Sequence, residues 1–202
     1  MTITIIDYGM GNIGSIANMI KKIGYESIIT SDIEEIKRAK KLILPGVGSF
    51  DNGMKNLKEM GLTEILNQKV LLEKIPILGI CLGMQLMTKG SEEGVLDGLG
   101  WIDAETKRFE SDTLKVPHMG WNTINHQKKS KLFDELESEK RYYFVHSYYV
   151  HANNEKEILT TTNYGFDFVS AFEKENIIGV QFHPEKSHKF GMWLIKNFIE
   201  VK

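Results

Sequence analysis

The run Ile75-Pro76-Ile77-Leu78-Gly79-Ile80-Cys81-Leu82-Gly83-Met84-Gln85-Leu86-Met87 changes character in its middle. Ile75 to Ile80 is apolar without alternation, the pattern of a strand covered on both faces. Met84 to Met87 is compatible with a helix. At the junction stands Gly79-Ile80-Cys81-Leu82-Gly83, a G-x-C-x-G in which glycines on either side of the cysteine permit a sharp strand-to-helix turn. This is the thiol form of a nucleophile elbow, which lifts the side chain above the sheet. The helix behind it would direct free N–H groups and a partial positive charge at the sulfur.

Outward from this junction the same alternation repeats. Ile3 to Asp7 is a β-branched strand, and Ile13, Ile16, Ala17, Ile20 and Ile23 mark one face of a helix that ends at Gly24. Ser27 to Thr30 and Lys41 to Leu44 are further strands, the latter stopped by Pro45-Gly46. A helical stretch covers roughly 52 to 73 with a break near Gly61. Strands alternating with helices of this size predict βαβ units and a largely parallel sheet. The second half predicts short, closely spaced strands at Tyr142 to Val145, Ile158 to Thr162, Phe168 to Phe172 and Ile177 to Phe182, added as hairpins at one side of the sheet. A helix carrying Phe190, Trp193, Leu194, Phe198 and Val201 on one face closes the chain. The expected fold is α/β: a mostly parallel central sheet flanked by helices, with added antiparallel strands in the C-terminal half. No repeat or linker divides residues 1–202, so a single domain with one shared core is expected.

The chain has 202 residues, with Lys+Arg 25 against Asp+Glu 27 and a formal charge of -2. That balance argues against nucleic acid or an anionic membrane as the main partner. No apolar run approaches the roughly 18 residues of a membrane-spanning helix. The start, Met1-Thr2-Ile3-Thr4-Ile5, has no signal-peptide pattern, and one cysteine excludes an internal disulfide and a thiolate-caged metal. A cytoplasmic location is the expectation, with no metal and no cofactor.

A thiol nucleophile needs a base and a group to orient that base. In Gly179-Val180-Gln181-Phe182-His183-Pro184-Glu185-Lys186, His183 follows a predicted strand and would share the sheet edge of Cys81 if the strands are parallel. Glu185 lies two residues on, placed to fix the imidazole tautomer. The other histidines, His118, His126, His146, His151 and His188, form no metal-ligand spacing, and His118 and His146 are candidates for supporting positions. For an oxyanion, the loop Pro45-Gly46-Val47-Gly48 follows the third strand, and the amides of Val47 and Leu82 are the candidate donors. A competing motif is Gly9-Met10-Gly11-Asn12-Ile13-Gly14, a G-x-G-x-x-G with Asp32 near the end of the second strand. It would suit a nicotinamide-dependent oxidoreductase, although Asp7 and Tyr8 stand where apolar residues usually lead into that turn. A glycine loop that brings the backbone close to another surface is the alternative.

These motifs together resemble the class I (triad-type) glutamine amidotransferases. Within that family the likeness is strongest to the glutaminase subunits that serve imidazole glycerol phosphate synthesis. It runs through Asp7 to Asn12, Pro45 to Phe50, Gly79 to Gln85, Ser91-Glu92-Glu93-Gly94, Val116 to Asn122, Tyr143 to Tyr149 and Gly179 to Lys186. The resemblance implies that Cys81 attacks the carboxamide of L-glutamine, with His183 as base and then acid and Glu185 orienting it. It implies glutamine-holding roles for Gln85, Glu93, Ser147 and Tyr148, and an oxyanion strand at Gly46, Val47 and Gly48 whose peptide turns before the hole is complete. It further implies a heterodimer with a (β/α)8-barrel cyclase, docked at Asn12, Met119, Trp121 and Lys186. That cyclase would use the ammonia to make imidazole glycerol phosphate and an aminoimidazole carboxamide ribotide in histidine biosynthesis. Low activity of the isolated chain follows. Two departures from the family pattern, Gly14 and the stretch Gly100 to Glu105, leave open a surface-sugar amidotransferase system as the destination of the ammonia.

Overall fold

The computed structural model describes residues 2–110, 114–133 and 140–201. In the first half the chain alternates through β1 (Thr2–Ile6), α1 (Ile13–Lys22), β2 (Glu26–Thr30), α2 (Ile33–Arg38), β3 (Leu42–Gly46), α3 (Phe50–Glu59), α4 (Leu62–Asn67), β4 (Ile77–Cys81) and α5 (Leu82–Leu86). The second half contributes β5 (Ala104–Arg108), β6 (His118–Thr123), β7 (Asn125–His126), β8 (Arg141–His146), β9 (Tyr148–Ala152), β10 (Ile158–Tyr164), β11 (Phe166–Lys174), β12 (Ile177–Val180) and α6 (His188–Glu200). The main sheet runs β2-β1-β3-β4-β12-β11-β10-β7. Its first five strands are mutually parallel, and β11, β10 and β7 follow antiparallel. The expected α/β architecture with an antiparallel extension is therefore present.

Strand periodicity divides the core in two. Ile3 and Ile5 of β1 point to one face of the sheet and Ile6 to the other. On the first face α1 and α6 bring Ile16, Ile20, Leu194, Ile195, Phe198 and Ile199 against Ile43, Leu78 and Val180. On the second, α3, α4 and α5 bring Phe50, Met54, Leu57, Leu62, Leu66, Met84 and Leu86 against Leu42, Leu44 and Ile77. Both layers draw on both halves of the chain, Phe144 and Phe168 entering one and Val150 and Phe172 the other. Among the described residues no helix is long and apolar enough to cross a membrane.

Several elements differ from the sequence expectation. Pro45 and Gly46 do not stop β3 but lie within it. Pairing with β1 reaches only Ile43, so the missing Pro45 N–H has no ladder bond to make on that side. The strand containing Tyr142 to Val145 joins no hairpin of the main sheet; as β8 it pairs with β6 in a separate two-stranded sheet. The last strand ends at Val180, two residues before Phe182. Strands β5, β6, β7 and β9 and helix α2 were not foreseen. In β5, Ala-Glu-Thr-Lys-Arg, only Ala104 and Thr106 turn inward. In β6 the polarity is inverted, with His118 buried while Met119 and Trp121 face out.

Candidate active site

Cys81 is the last residue of β4 and the residue that precedes α5, with φ 54° and ψ -109°. Few non-glycine residues hold a positive φ, and the strain persists only where the surroundings enforce it. Here the glycines enforce it. A Cβ on Gly83 would fall 1.8 Å from the Leu44 carbonyl oxygen, and one on Gly79 would fall 2.9 Å from the carbonyl carbon of Gly83. Helix α5 thus lies closer to β3 and β4 than any side chain allows. Gly46 pairs with Cys81 in the sheet register, and a Cβ there would stand 2.6 Å from Tyr8 Oη and 2.8 Å from Leu82 Cβ. The Tyr8 hydroxyl donates to the Pro45 carbonyl at 2.6 Å, bracing the same strand. Burial, and secondarily the charge of Cys81, push the Tyr8 pKa up.

Parallel pairing of β12 with β4, Val180 beside Ile80, brings the segment after β12 to the rim where Cys81 emerges. His183 follows three residues later, 1% exposed, its N–H bonded to the Tyr143 carbonyl. Its Nδ1 lies 2.8 Å from Glu185 Oε1, both side chains 2% exposed. Pro184 opens the 3-10 turn that folds Glu185 back onto the ring. His183 Nε2 is buried and makes no conventional hydrogen bond; the group it addresses is the Cys81 sulfur. Burial alone would lower the His183 pKa, but interaction with Cys81 and then Glu185 outweighs it, and the value rises to about 10. The imidazole thus stands between a sulfur and a carboxylate, both of which favour its protonated form.

Gln181, which the sequence reading left without a role, donates from Nε2 to Cys81 Sγ at 3.6 Å. Its Oε1 accepts from Gln85 Nε2 at 3.0 Å, and Gln85 Nε2 also donates to the Tyr148 carbonyl at 3.1 Å. The available signal was a single fully buried polar residue interrupting the apolar run Ile177 to Phe182. His146 Nδ1 reaches the same Tyr148 carbonyl at 2.7 Å, and His118 pairs with His146, so the two supporting histidines do meet behind the site.

A cleft of about 350 Å³ opens over the sulfur, lined by Val47, Gly48, Cys81, Leu82, Gln85, Glu93, Pro117, Val145, His146, Ser147, Tyr148 and His183. Every expected glutamine-holding residue is on this lining, and Gly46 and Glu185 stand directly behind it. Glu93 Oε2 accepts from the Phe50 N–H at the start of α3 at 2.9 Å, which fixes its carboxylate. Val47 is 43% exposed and Gly48 has φ 115°. Leu82 opens α5, where the first N–H groups have no intrahelical acceptor.

Of the expected docking residues, Met119 and Trp121 project from β6, 62% and 45% exposed. Trp121 stacks on His188 and meets the edge of Tyr143, and Lys186 Nζ lies over the Tyr143 ring, 5.7 Å from its centroid. Asn12 immediately precedes α1, which packs beside the turn carrying Lys186. The glycine-rich loop is committed elsewhere than to a dinucleotide. A Cβ on Gly11 would press on Pro45 and the Gly46 nitrogen, Asp32 caps α2 by accepting from Glu35 N–H, and Gly14 faces open space.

Residues 4–201 match the family model described as Glutamine amidotransferase class-I. The chain is similar to imidazole glycerol phosphate synthase subunit HisH 2 of Methanococcus maripaludis, 63% identical over 98% of each chain. It is 48% identical to the subunit of the same name from Pseudomonas aeruginosa, covering 98% of this chain and 99% of that one. A solved structure of a glutamine amidotransferase superposes with a TM-score of 0.75 at 19% identity, over 98% of this chain and 97% of that one.

Proposed function

The chain belongs to the class-I glutamine amidotransferase family, and we propose that it is the glutaminase subunit of an imidazole glycerol phosphate synthase, hydrolysing L-glutamine to glutamate and ammonia. The observation that carries this reading is the alignment of Cys81, His183 and Glu185 at one sheet rim under a cleft of substrate size.

His183, favoured in its charged form by Cys81 and Glu185, holds the proton of the pair as the sulfur attacks, so the nucleophile reacts as the thiolate. The sulfur forms a bond to the carboxamide carbon, and the oxygen gains negative charge. The amide of Val47, in the loop between Gly46 and Gly48 that follows β3, and that of Leu82, at the start of α5, receive that charge. The tetrahedral adduct collapses as His183 gives its proton to the nitrogen, and ammonia departs from the glutamyl thioester. Neutral His183 then takes a proton from water, the hydroxyl adds to the same carbon, and glutamate leaves as the thiolate–imidazolium pair is restored. Glu185 holds the ring and favours its charged form throughout. Gln85, Glu93, Ser147 and the Tyr148 backbone grip the amino-acid end of the substrate, Glu93 facing its ammonium group.

The ammonia passes to a (β/α)8-barrel cyclase docked on Asn12, Met119, Trp121 and Lys186, which forms imidazole glycerol phosphate and an aminoimidazole carboxamide ribotide. The names of the relatives support this destination, as does the exposed apolar pair Met119 and Trp121 beside the cleft. Residues 1–202 act as one catalytic domain in the cytoplasm, where the lone thiol stays reduced, and no cofactor enters the chemistry. Mixing the chain with a histidine-pathway cyclase and, separately, with a surface-sugar synthase tests the assignment. Cyclase-dependent glutamate release that is lost in Cys81→Ala is expected. Stimulation by the sugar-pathway synthase alone would redirect the ammonia, and no glutamate from either mixture would remove the reading.

A further inference from the structure

Gln181 lies outside the sulfur–imidazole–carboxylate set, yet it is the side chain whose hydrogen bond reaches the sulfur itself. Which end of its amide faces Cys81 follows from the neighbours. The Tyr148 carbonyl can only accept, so the end of Gln85 beside it, at 3.1 Å, is the NH2 group. That same NH2 meets Gln181 at 3.0 Å, so the near end of Gln181 is its oxygen. The far end, 3.6 Å from Sγ, is therefore an N–H donor. The orientation is locked twice, because His146 Nδ1 also binds the Tyr148 carbonyl and holds it in place.

We propose that Gln181 is a positioning residue for the nucleophile: its amide N–H, clamped by Gln85 against the Tyr148 carbonyl, fixes the direction of the Cys81 sulfur and favours its negative charge. The proposal deepens the glutaminase reading and rests on it for its catalytic meaning. Gln181 is fully buried between Val180 and Phe182, so no water replaces the bond when it is lost. A donor aimed at an anion is stronger than one aimed at a neutral acceptor, and in a dry site the difference grows. The arrangement also gives Gln85 two duties. Its NH2 group is consumed by the clamp, which leaves its oxygen for substrate, so occupancy of the cleft and direction of the sulfur are linked through one side chain. The ionisable groups facing Cys81 are His183 from the turn after β12 and Tyr8 after β1, with Glu185 behind His183.

The chain has one cysteine, so alkylation by iodoacetamide reports on Cys81 alone. In Gln181→Met, of similar volume but without a donor, the alkylation profile should move about one pH unit alkaline, about tenfold slower at neutral pH. Gln85→Leu frees Gln181 to turn its oxygen toward the sulfur and should shift the profile the same way. Melting temperature controls for packing, since a purely structural role would lower it and leave the profile in place. An unmoved profile in folded Gln181→Met overturns the proposal. If that variant does not fold, the intact chain labelled with 15N-glutamine decides: one exchange-protected side-chain amide must shift on alkylation, and its silence refutes the contact. The profile is measured without glutamine, so a parent chain inert toward glutamine defeats the glutaminase reading and not this contact.

Discussion

His118 Nδ1 stands 3.0 Å from His146 Nε2 inside an aromatic cluster that includes Phe109, Phe144 and Phe168, and the proton between them belongs to His118. His146 Nδ1 must donate to the Tyr148 carbonyl, so its Nε2 is the acceptor. His118 Nε2 in turn accepts from the Asn122 amide at 3.2 Å. Both rings are neutral, and burial lowers His118 to about 4 and His146 to about 3. Unfolded histidine binds its proton near pH 6.5, so between there and the folded values the unfolded chain holds more protons. The contribution of this pair is complete above pH 6.5 and falls as the pH drops, by about 1.4 kcal/mol per pH unit for each neutral ring. His126, also lowered by burial, adds to the slope. Urea unfolding at pH 7 and pH 5 checks this; equal midpoints would show that the pair does not stay neutral.

Glu185→Gln keeps the shape behind His183 and removes the charge that favours the imidazolium. Glutaminase kcat should fall about a thousandfold with KM little changed, because the loss concerns ring charge and orientation rather than grip on substrate. Histidine 15N spectra should place the His183 transition well below its intact value of about 10. An unchanged transition would mean that Glu185 does not act on the ring.

The elbow and its partner were legible because their signals are local. Gly79 and Gly83 announce a close approach, and Pro184 announces a turn that folds Glu185 onto His183. The largely parallel sheet could be expected from the alternation of strands and helices. What the sequence concealed lies where polarity runs against the fold. Strand β6 buries His118 and exposes Trp121, so its pattern resembles a loop, and its imidazole is content inside only because His146 and Asn122 complete its bonds. Gln181 was hidden for the same reason: its partners, Gln85 and Cys81, are about a hundred residues away.

Gly83→Ala tests the tightness of the elbow. The added methyl meets the Leu44 carbonyl, a backbone atom inside the parallel sheet that cannot step aside without disturbing β3. Destabilisation of about 2–3 kcal/mol is expected, together with loss of activity larger than that of a peripheral variant of equal stability. Gly14→Ala is the comparison, because nothing lies within reach of its Cβ. Equal melting temperatures for the two would show that α5 can retreat from the sheet.

Among the described residues that line the cleft Glu93 is the single carboxylate, and one of its oxygens is held by Phe50 N–H. A glutamine molecule carries an ammonium group that must be desolvated on entry, and Glu93 is the side chain able to compensate it. In Glu93→Gln the amide oxygen can still accept from Phe50, so the loop stays in place while the charge disappears. KM for glutamine should rise about tenfold or more with kcat nearly unchanged, the pattern of a contact made equally in ground and transition states. Glutaramate, which lacks the amino group, provides the decisive comparison. The parent enzyme should prefer glutamine strongly, and the variant should lose most of that preference, because the interaction removed from the protein is the one already absent from the analogue. A variant that weakens both substrates equally would instead place Glu93 as a support for the Phe50 helix start, and the amino-acid end of the substrate would have to be held by Ser147 and Tyr148 alone.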